Sequence, residues 1–148
     1  MTPESFAKIL SANDIGATGG HQAGILVPKG DLALLAFFPP LDAQIQNPDA
    51  WIEVEDENGR VWSLRYIYYN NKLHAENGTR NEYRLTHLTR YLREAGAKVG
   101  DSLVFKATAF NGRYRIAIAP ALPAATGDAA GQPKLTTVIR LSGWRRVH

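Results

Sequence analysis

The sequence predicts a mainly β fold, a seven-stranded antiparallel open pseudobarrel with two short helices. Three observations carry that prediction. Apolar runs of strand length recur along the chain, several of them alternating with polar residues. Two Asn-Gly pairs, Asn58-Gly59 and Asn111-Gly112, fall between such runs, where a hairpin would turn. The two segments with helical spacing stand apart from the strands, whereas a parallel βαβ sheet would interleave them.

Residues 5–12 (SFAKILSA) read as the first strand, ended by Asn13-Asp14. A glycine-rich segment, SANDIGATGGHQAG at 11–24, holds four glycines and no proline and leads into a short buried strand at 23–28, stopped by Pro28-Lys29. Residues 30–38 (GDLALLAFF) have helical spacing, with Asp31 at the end where an acid suits the helix dipole and Pro39-Pro40 as the stop. Residues 51–69 form a hairpin through Glu57-Asn58-Gly59-Arg60. Its return strand sets Val61, Ser63, Arg65 and Ile67 against Trp62, Leu64, Tyr66 and Tyr68 on the opposite face. NNKLHAENG at 70–78 reads as a second polar loop, running into a charged strand, TRNEYRLT at 79–86. The second helix is expected at 86–96, with Thr86 as N-cap and Gly96 as its end. A second hairpin follows over 99–120, then a loop at 124–133 without core residues, then a last strand at 136–144.

At 148 residues the chain is expected to be a single domain with one hydrophobic core. The absence of cysteine excludes a disulfide framework and a thiolate metal site, and fits a reducing cytoplasm. No apolar run approaches the roughly 18 residues of a membrane span, and MTPESFAKIL lacks the apolar region of a signal peptide, so a cytoplasmic location is expected. Charge is unevenly distributed. Residues 30–59 carry seven acids and no Lys or Arg, and the rest of the chain holds all 17 basic residues against seven acids. That division predicts an acidic back and a basic front, suited to a polyanion.

Signatures of catalysis are missing. There is no G-x-x-x-x-G-K-[ST] and no G-x-S-x-G. The four histidines show no metal-ligand spacing, and no acid is followed two residues later by lysine, the pattern that holds Mg²⁺ in many nucleases. The chain is therefore expected to be non-catalytic, with no metal and no cofactor.

The two polar segments suit a duplex. A strand over 79–86 would put Arg80, Glu82 and Arg84 on one face, with Asn81, Tyr83 and Leu85 on the other. Arginine can bond bidentately to guanine, asparagine to adenine, and glutamate can accept from the cytosine amine. The bland alternative is an Arg–Glu–Arg ladder on a solvated face, which contributes little. The first segment offers Asn13, Asp14, Thr18, His21 and Gln22 as compact hydrogen-bonding groups on a glycine-rich backbone. Lys8, Arg65, Lys72 and Arg113 are candidates for phosphate contacts.

SANDIGATGGHQAG followed by a strand, then YIYYN and TRNEYRLT, resembles the N-terminal effector domain of EcoRII-type restriction endonucleases. That domain groups with the plant B-three DNA-binding pseudobarrels, whose strand starts resemble VGDSLVF at 99–105. The resemblance covers about Lys8 to Phe105 and implies two wrench-like arms entering the major groove. Carried onto this chain, the N-arm is Lys8 and Ser11 to Gln22, and the C-arm is Asn70 to Arg84. Contacts to base or phosphate are then implied for Lys8, His21, Arg65, Arg80, Asn81, Glu82 and Arg84, and the expected DNA-binding set is completed by Ser11, Asn13, Asp14, Thr18, Gln22, Asn70, Lys72 and Thr79 on the two arms. The family implies a CC(A/T)GG target and control of a separate nuclease domain. This chain departs from the family's pattern at Ile9, Leu26, Gly78 and Tyr83, and its C-arm is two residues longer.

The expected function is sequence-specific binding of double-stranded DNA by a monomeric domain, with the nuclease domain elsewhere in a parent restriction enzyme and no membrane partner. A stand-alone regulator, or a specificity subunit acting in trans, is the alternative. A remote rival is a carbohydrate- or peptide-binding barrel that uses Trp51, Trp62, Tyr66, Tyr68 and Tyr69 for stacking.

Overall fold

The structure, a computed structural model, describes residues 4–16, 24–121 and 143–147. Its strands are β1 (Ser5–Ile9), β2 (Ile25–Val27), β3 (Asp49–Glu55), β4 (Val61–Tyr69), β5 (Glu82–Thr86), β6 (Ser102–Ala107), β7 (Arg113–Ala119) and β8 (Trp144–Val147). Its helices are α1 (Leu32–Phe37), α2 (Asn71–His74) and α3 (Thr89–Glu94). The eight strands form one sheet in the order β2-β5-β4-β3-β7-β6-β1-β8. The mainly β class holds; the described residues form eight strands and three short helices where seven and two were expected. Residues 124–133 and most of the expected strand at 136–144 lie outside the described residues.

Local chemistry explains the turns. Asp56 accepts from the backbone N–H groups of Asn58 (2.8 Å) and Arg60 (3.0 Å) and from the Trp62 indole (2.9 Å). Gly59 then takes φ +82°, a conformation a glycine adopts without penalty. The indole hydrogen bond is the main reason the Asp56 carboxyl sits below the usual range. Asp31 caps α1 by accepting from Leu34 N–H at 3.2 Å. The expected cap of α3 is corrected. Thr86 is the last residue of β5, and its hydroxyl donates to the Arg65 carbonyl at 3.3 Å, so Leu88 occupies the N-cap position.

One pairing departs from a wholly antiparallel sheet. β3 and β7 run parallel, with Glu53 opposite Arg113 and Glu55 opposite Arg115. This is the seam between two antiparallel halves, β2-β5-β4-β3 and β7-β6-β1-β8. A turn motif reports only on strands joined by that turn, so the seam has no local signature.

The sheet curls around an aromatic core centred on Phe38. Its ring lies 5.1 Å from Tyr66, 5.7 Å from Phe105, 5.7 Å from Tyr114 and 6.2 Å from Trp144. Tyr114 donates its hydroxyl to the Phe37 carbonyl at 2.7 Å, and burial pushes that hydroxyl's pKa up to about 12. β2 and β8 are the two ends of the strand order, yet the fully buried Trp144 donates its indole N–H to the Leu26 carbonyl of β2 at 2.9 Å. One side chain thus draws the two edges together. Among the described residues, no helix is long and apolar enough to cross a membrane.

Trp144→Phe keeps most of the ring but removes the donor from the Leu26 carbonyl. The expected loss is about 1–3 kcal/mol of unfolding free energy, read as a lower urea midpoint with an unchanged slope. An unshifted midpoint would show that the closure rests on ring packing alone.

Candidate nucleic-acid interface

The second arm is built on a buried amide. Asn70 is fully buried; its Nδ2 donates to the carbonyls of Ala43 (3.2 Å) and Ile45 (2.9 Å), and its Oδ1 accepts from Asn47 N–H at 2.6 Å. Its own N–H donates to Asn47 Oδ1 at 3.1 Å. Asn70, expected among the DNA-binding residues, is buried in this structure and anchors the arm from within. The following residues form α2 where a loop was expected. Asn71 Oδ1 accepts from Arg80 N–H at 2.8 Å, and Lys72 N–H donates to the Arg80 carbonyl at 3.0 Å. A Cβ on Gly78 would stand 2.0 Å from the Asn71 carbonyl oxygen, so the return of the chain past α2 requires glycine there. Arg80 is thereby held at its backbone on both sides. Lys72 and Thr79 are exposed on the arm.

The β4–β5 register sets Tyr69 opposite Glu82, Ile67 opposite Arg84 and Arg65 opposite Thr86. Directly opposed residues share a face. Tyr69, Arg65, Glu82 and Arg84 therefore lie on the outer face, as alternation through TRNEYRLT predicts for the two charged residues of β5. Inward, Tyr68 and Tyr83 stack at 4.1 Å with rings 4° from parallel, and the Tyr68 hydroxyl donates to Asn81 Oδ1.

On the outer face, Glu82 Oε2 accepts from Arg80 Nη2 at 3.2 Å and from Arg84 Nε. The Arg80 guanidinium lies over the Tyr69 ring, 3.7 Å from its centroid. Arg84 is only 8% exposed and also donates from Nη1 to the Gly24 carbonyl at 3.3 Å. Gly24 closes the glycine-rich segment 11–24 and stands immediately before β2. It has φ +89°, and a Cβ there would fall 2.1 Å from the Leu85 carbonyl oxygen. Burial pushes the Glu82 carboxyl up, but hydrogen bonds from Arg84 and Arg80, together with their charges, outweigh it and hold the group below its ordinary value.

The root of the first arm is an internal staple. Asp14 N–H donates to Ser11 Oγ at 3.1 Å, and Asp14 Oδ2 accepts from Ser11 N–H at 2.9 Å. Lys8 Nζ donates to Asp14 Oδ2 and to the Ile9 carbonyl, both at 2.8 Å. The Lys8 and Asp14 side chains are 9% and 7% exposed. These two predicted contacts face each other across the arm's base. Asn13 is exposed; Thr18, His21 and Gln22 lie outside the described residues.

Arg65 donates to Asp49 at 2.7 Å and is half-exposed beside Trp51, whose ring meets His87 edge-on at 4.9 Å. Arg113, the first residue of β7, pairs with Glu53 at 3.4 Å. β3 lies between β4 and β7, and arginines of those strands pair with Asp49 and Glu53, so two of the seven acids of the charge block meet opposite charges in space. The five aromatics are also divided. Tyr66 and Tyr68 are buried, Trp62 packs on Tyr91 under Arg60, and Trp51 and Tyr69 face outward. Two features escaped the sequence reading: Tyr69 beneath Arg80, and the Gly24 carbonyl as partner of Arg84. Alternation along β4 could have found the first. Among the described residues, no cluster of three metal-ligating side chains occurs.

Glu82→Gln tests the carboxylate's part in this cluster. Because Glu82 titrates below its ordinary value of 4.5, its contribution is full above that value and fades as pH falls through the lower folded-state value. The variant is expected to be about 1 kcal/mol less stable at pH 7, with the gap closing below pH 4.5. A gap independent of pH would show that charge is not what holds the cluster.

A family model described as "Restriction endonuclease EcoRII, N-terminal" matches residues 2–113. The type II restriction enzyme EcoRII of Escherichia coli is 39% identical over 84 residues, 55% of this chain and 20% of the enzyme. Auxin response factor 5 of Oryza sativa subsp. japonica is 37% identical over 65 residues, 44% of this chain and 5% of that protein. A B3 domain-containing protein of the same plant is 28% identical over 145 residues, 93% of this chain and 68% of that protein. The chain thus spans a fifth of the bacterial enzyme's length and a twentieth of the auxin response factor's. Among solved structures, the Arabidopsis FUS3–DNA complex matches with a TM-score of 0.57 at 22% identity, covering 78% of this chain and 95% of that one. That likeness establishes the B3-type pseudobarrel fold. With the family match running from before β1 to the first residue of β7, the chain belongs to the family of the EcoRII restriction endonuclease N-terminal domain.

Proposed function

We propose that this chain is the DNA-recognition, or effector, domain of a bacterial type II restriction endonuclease, reading a short duplex site in the major groove as a monomeric unit. The observation that carries the proposal is the Arg80–Glu82–Arg84 cluster on the outer face. Among the described residues, both of its hydrogen bonds to Glu82 fall on Oε2, leaving Oε1 to accept from a cytosine amine. Arg80 has the more exposed guanidinium and is the candidate guanine reader. The buried Arg84 holds Glu82 in place and engages the Gly24 carbonyl just before β2. Exposed Lys72 contacts phosphate, a contact that orients the domain without reading sequence. The target is CC(A/T)GG or a close variant, and cleavage belongs to a nuclease domain of the parent protein.

A stand-alone DNA-binding regulator is the second reading. The extent of the match to the plant B3 domain-containing protein, 93% of this chain, favours it.

Selection of duplexes from a random pool identifies the preferred site. Arg80→Ala is expected to lose about 1–3 kcal/mol of discrimination at one base pair. Lys72→Ala is expected to weaken all sequences alike and to lower the salt slope by about one. Equal retention of every sequence by the unaltered domain would overturn the proposal.

A further inference from the structure

We infer that Tyr69 is a specificity-determining positioning residue, its ring being the platform that aims the Arg80 guanidinium at a base edge. The inference rests on the DNA-reading function proposed above and adds to it a residue outside the Arg–Glu–Arg cluster.

Tyr69 is the last residue of β4 and stands opposite Glu82 on the outer face. The Arg80 guanidinium carbon lies 3.7 Å from the ring centroid, within the range where the electron-rich face of a ring attracts a cation. Arg80 is thus restrained from three directions. Asn71 and Lys72 hold its backbone, Glu82 holds Nη2, and Tyr69 covers one face of the guanidinium. Glu82 takes one N–H of Arg80 Nη2 and, among the described residues, Nε and Nη1 take no hydrogen-bond partner, so one two-donor edge, the second Nη2 hydrogen with its neighbour, stays available while the plane is fixed.

A long arginine side chain loses considerable rotamer freedom when it binds. A guanidinium already seated on a ring has lost much of that freedom beforehand, and its fixed plane suits the two-acceptor edge of guanine. The ring does this work without its hydroxyl, so phenylalanine should substitute and leucine should not. A second outward aromatic, Trp51, lies opposite Arg65 on β3 and packs on His87 rather than on an arginine of the C-arm.

The test measures affinities for the selected duplex and its single-base-pair variants, using the unaltered domain, Tyr69→Leu, Tyr69→Phe, Arg80→Ala and the Tyr69→Leu/Arg80→Ala double variant. Tyr69→Leu should lower discrimination about two- to fivefold, at the base pair that Arg80→Ala relaxes. Tyr69→Phe should retain it, and the double variant should match Arg80→Ala alone. In the free protein, the Arg80 δ protons should show an upfield ring-current shift with Tyr or Phe at position 69, lost with Leu. A uniform loss of affinity on all duplexes, or a Tyr69→Leu effect that persists without Arg80, would overturn the inference. So would an unshifted Arg80 in the unaltered protein, a reading that stands even if the leucine variant fails to fold. An unaltered domain with no preference among duplexes would instead overturn the DNA-reading function, and with it this inference.

Discussion

A guanidinium withdrawn from water must be paired, and the pairing of Arg84 organises the face on which this protein's proposed function rests. Its Nε meets Glu82 and its Nη1 meets the Gly24 carbonyl, so one buried charge joins the second arm to the start of β2. Leaving such a charge without its partner typically destabilises by several kcal/mol, which makes the arrangement stiff. Glu82 in turn holds Arg80, and Arg80 is clamped by Asn71, Lys72 and Tyr69. The group proposed to read bases is therefore supported by a chain of contacts that begins inside the sheet.

The barrel supplies the frame for that chain. A three-residue strand such as β2 could not hold a defined position by its ladder with β5 alone. Trp144 adds a second attachment from the opposite edge of the sheet, and Gly24 lets β2 begin in direct contact with the β5 backbone. The two arms share this economy of construction. Asn70 pins one through the 43–47 loop, and the Lys8–Asp14 pair pins the other at its base. In both, polar residues of a kind suited to DNA contact close internal hydrogen bonds instead.

Charge shows the same conversion of linear pattern into spatial pairing. The acids of residues 30–59 form a block in the sequence, but β3 carries several of them between two strands that bear arginines. Interleaving sets two of the seven acids, Asp49 and Glu53, in ion pairs across strands. Exposed basic residues are found on the second arm, at Lys72, and also away from it, at Arg93, Lys98, Lys106 and Arg115.

The sequence by itself determined the features that depend on neighbours along the chain. Alternation placed Glu82 and Arg84 together on β5, the Asn58-Gly59 and Asn111-Gly112 turns lie where φ becomes positive, and Asp31 caps α1. Motif likeness along the two arms was also enough to identify the family. Tertiary structure alone decided the parallel β3–β7 seam, the closure by Trp144, the inward Asn70, the Lys8–Asp14 pair and the seating of Arg80 on Tyr69. The physical reason is common to all five. Periodicity and turn chemistry report the direction in which a side chain leaves its own strand, whereas pairing and burial depend on which strand or loop the curled sheet brings opposite it.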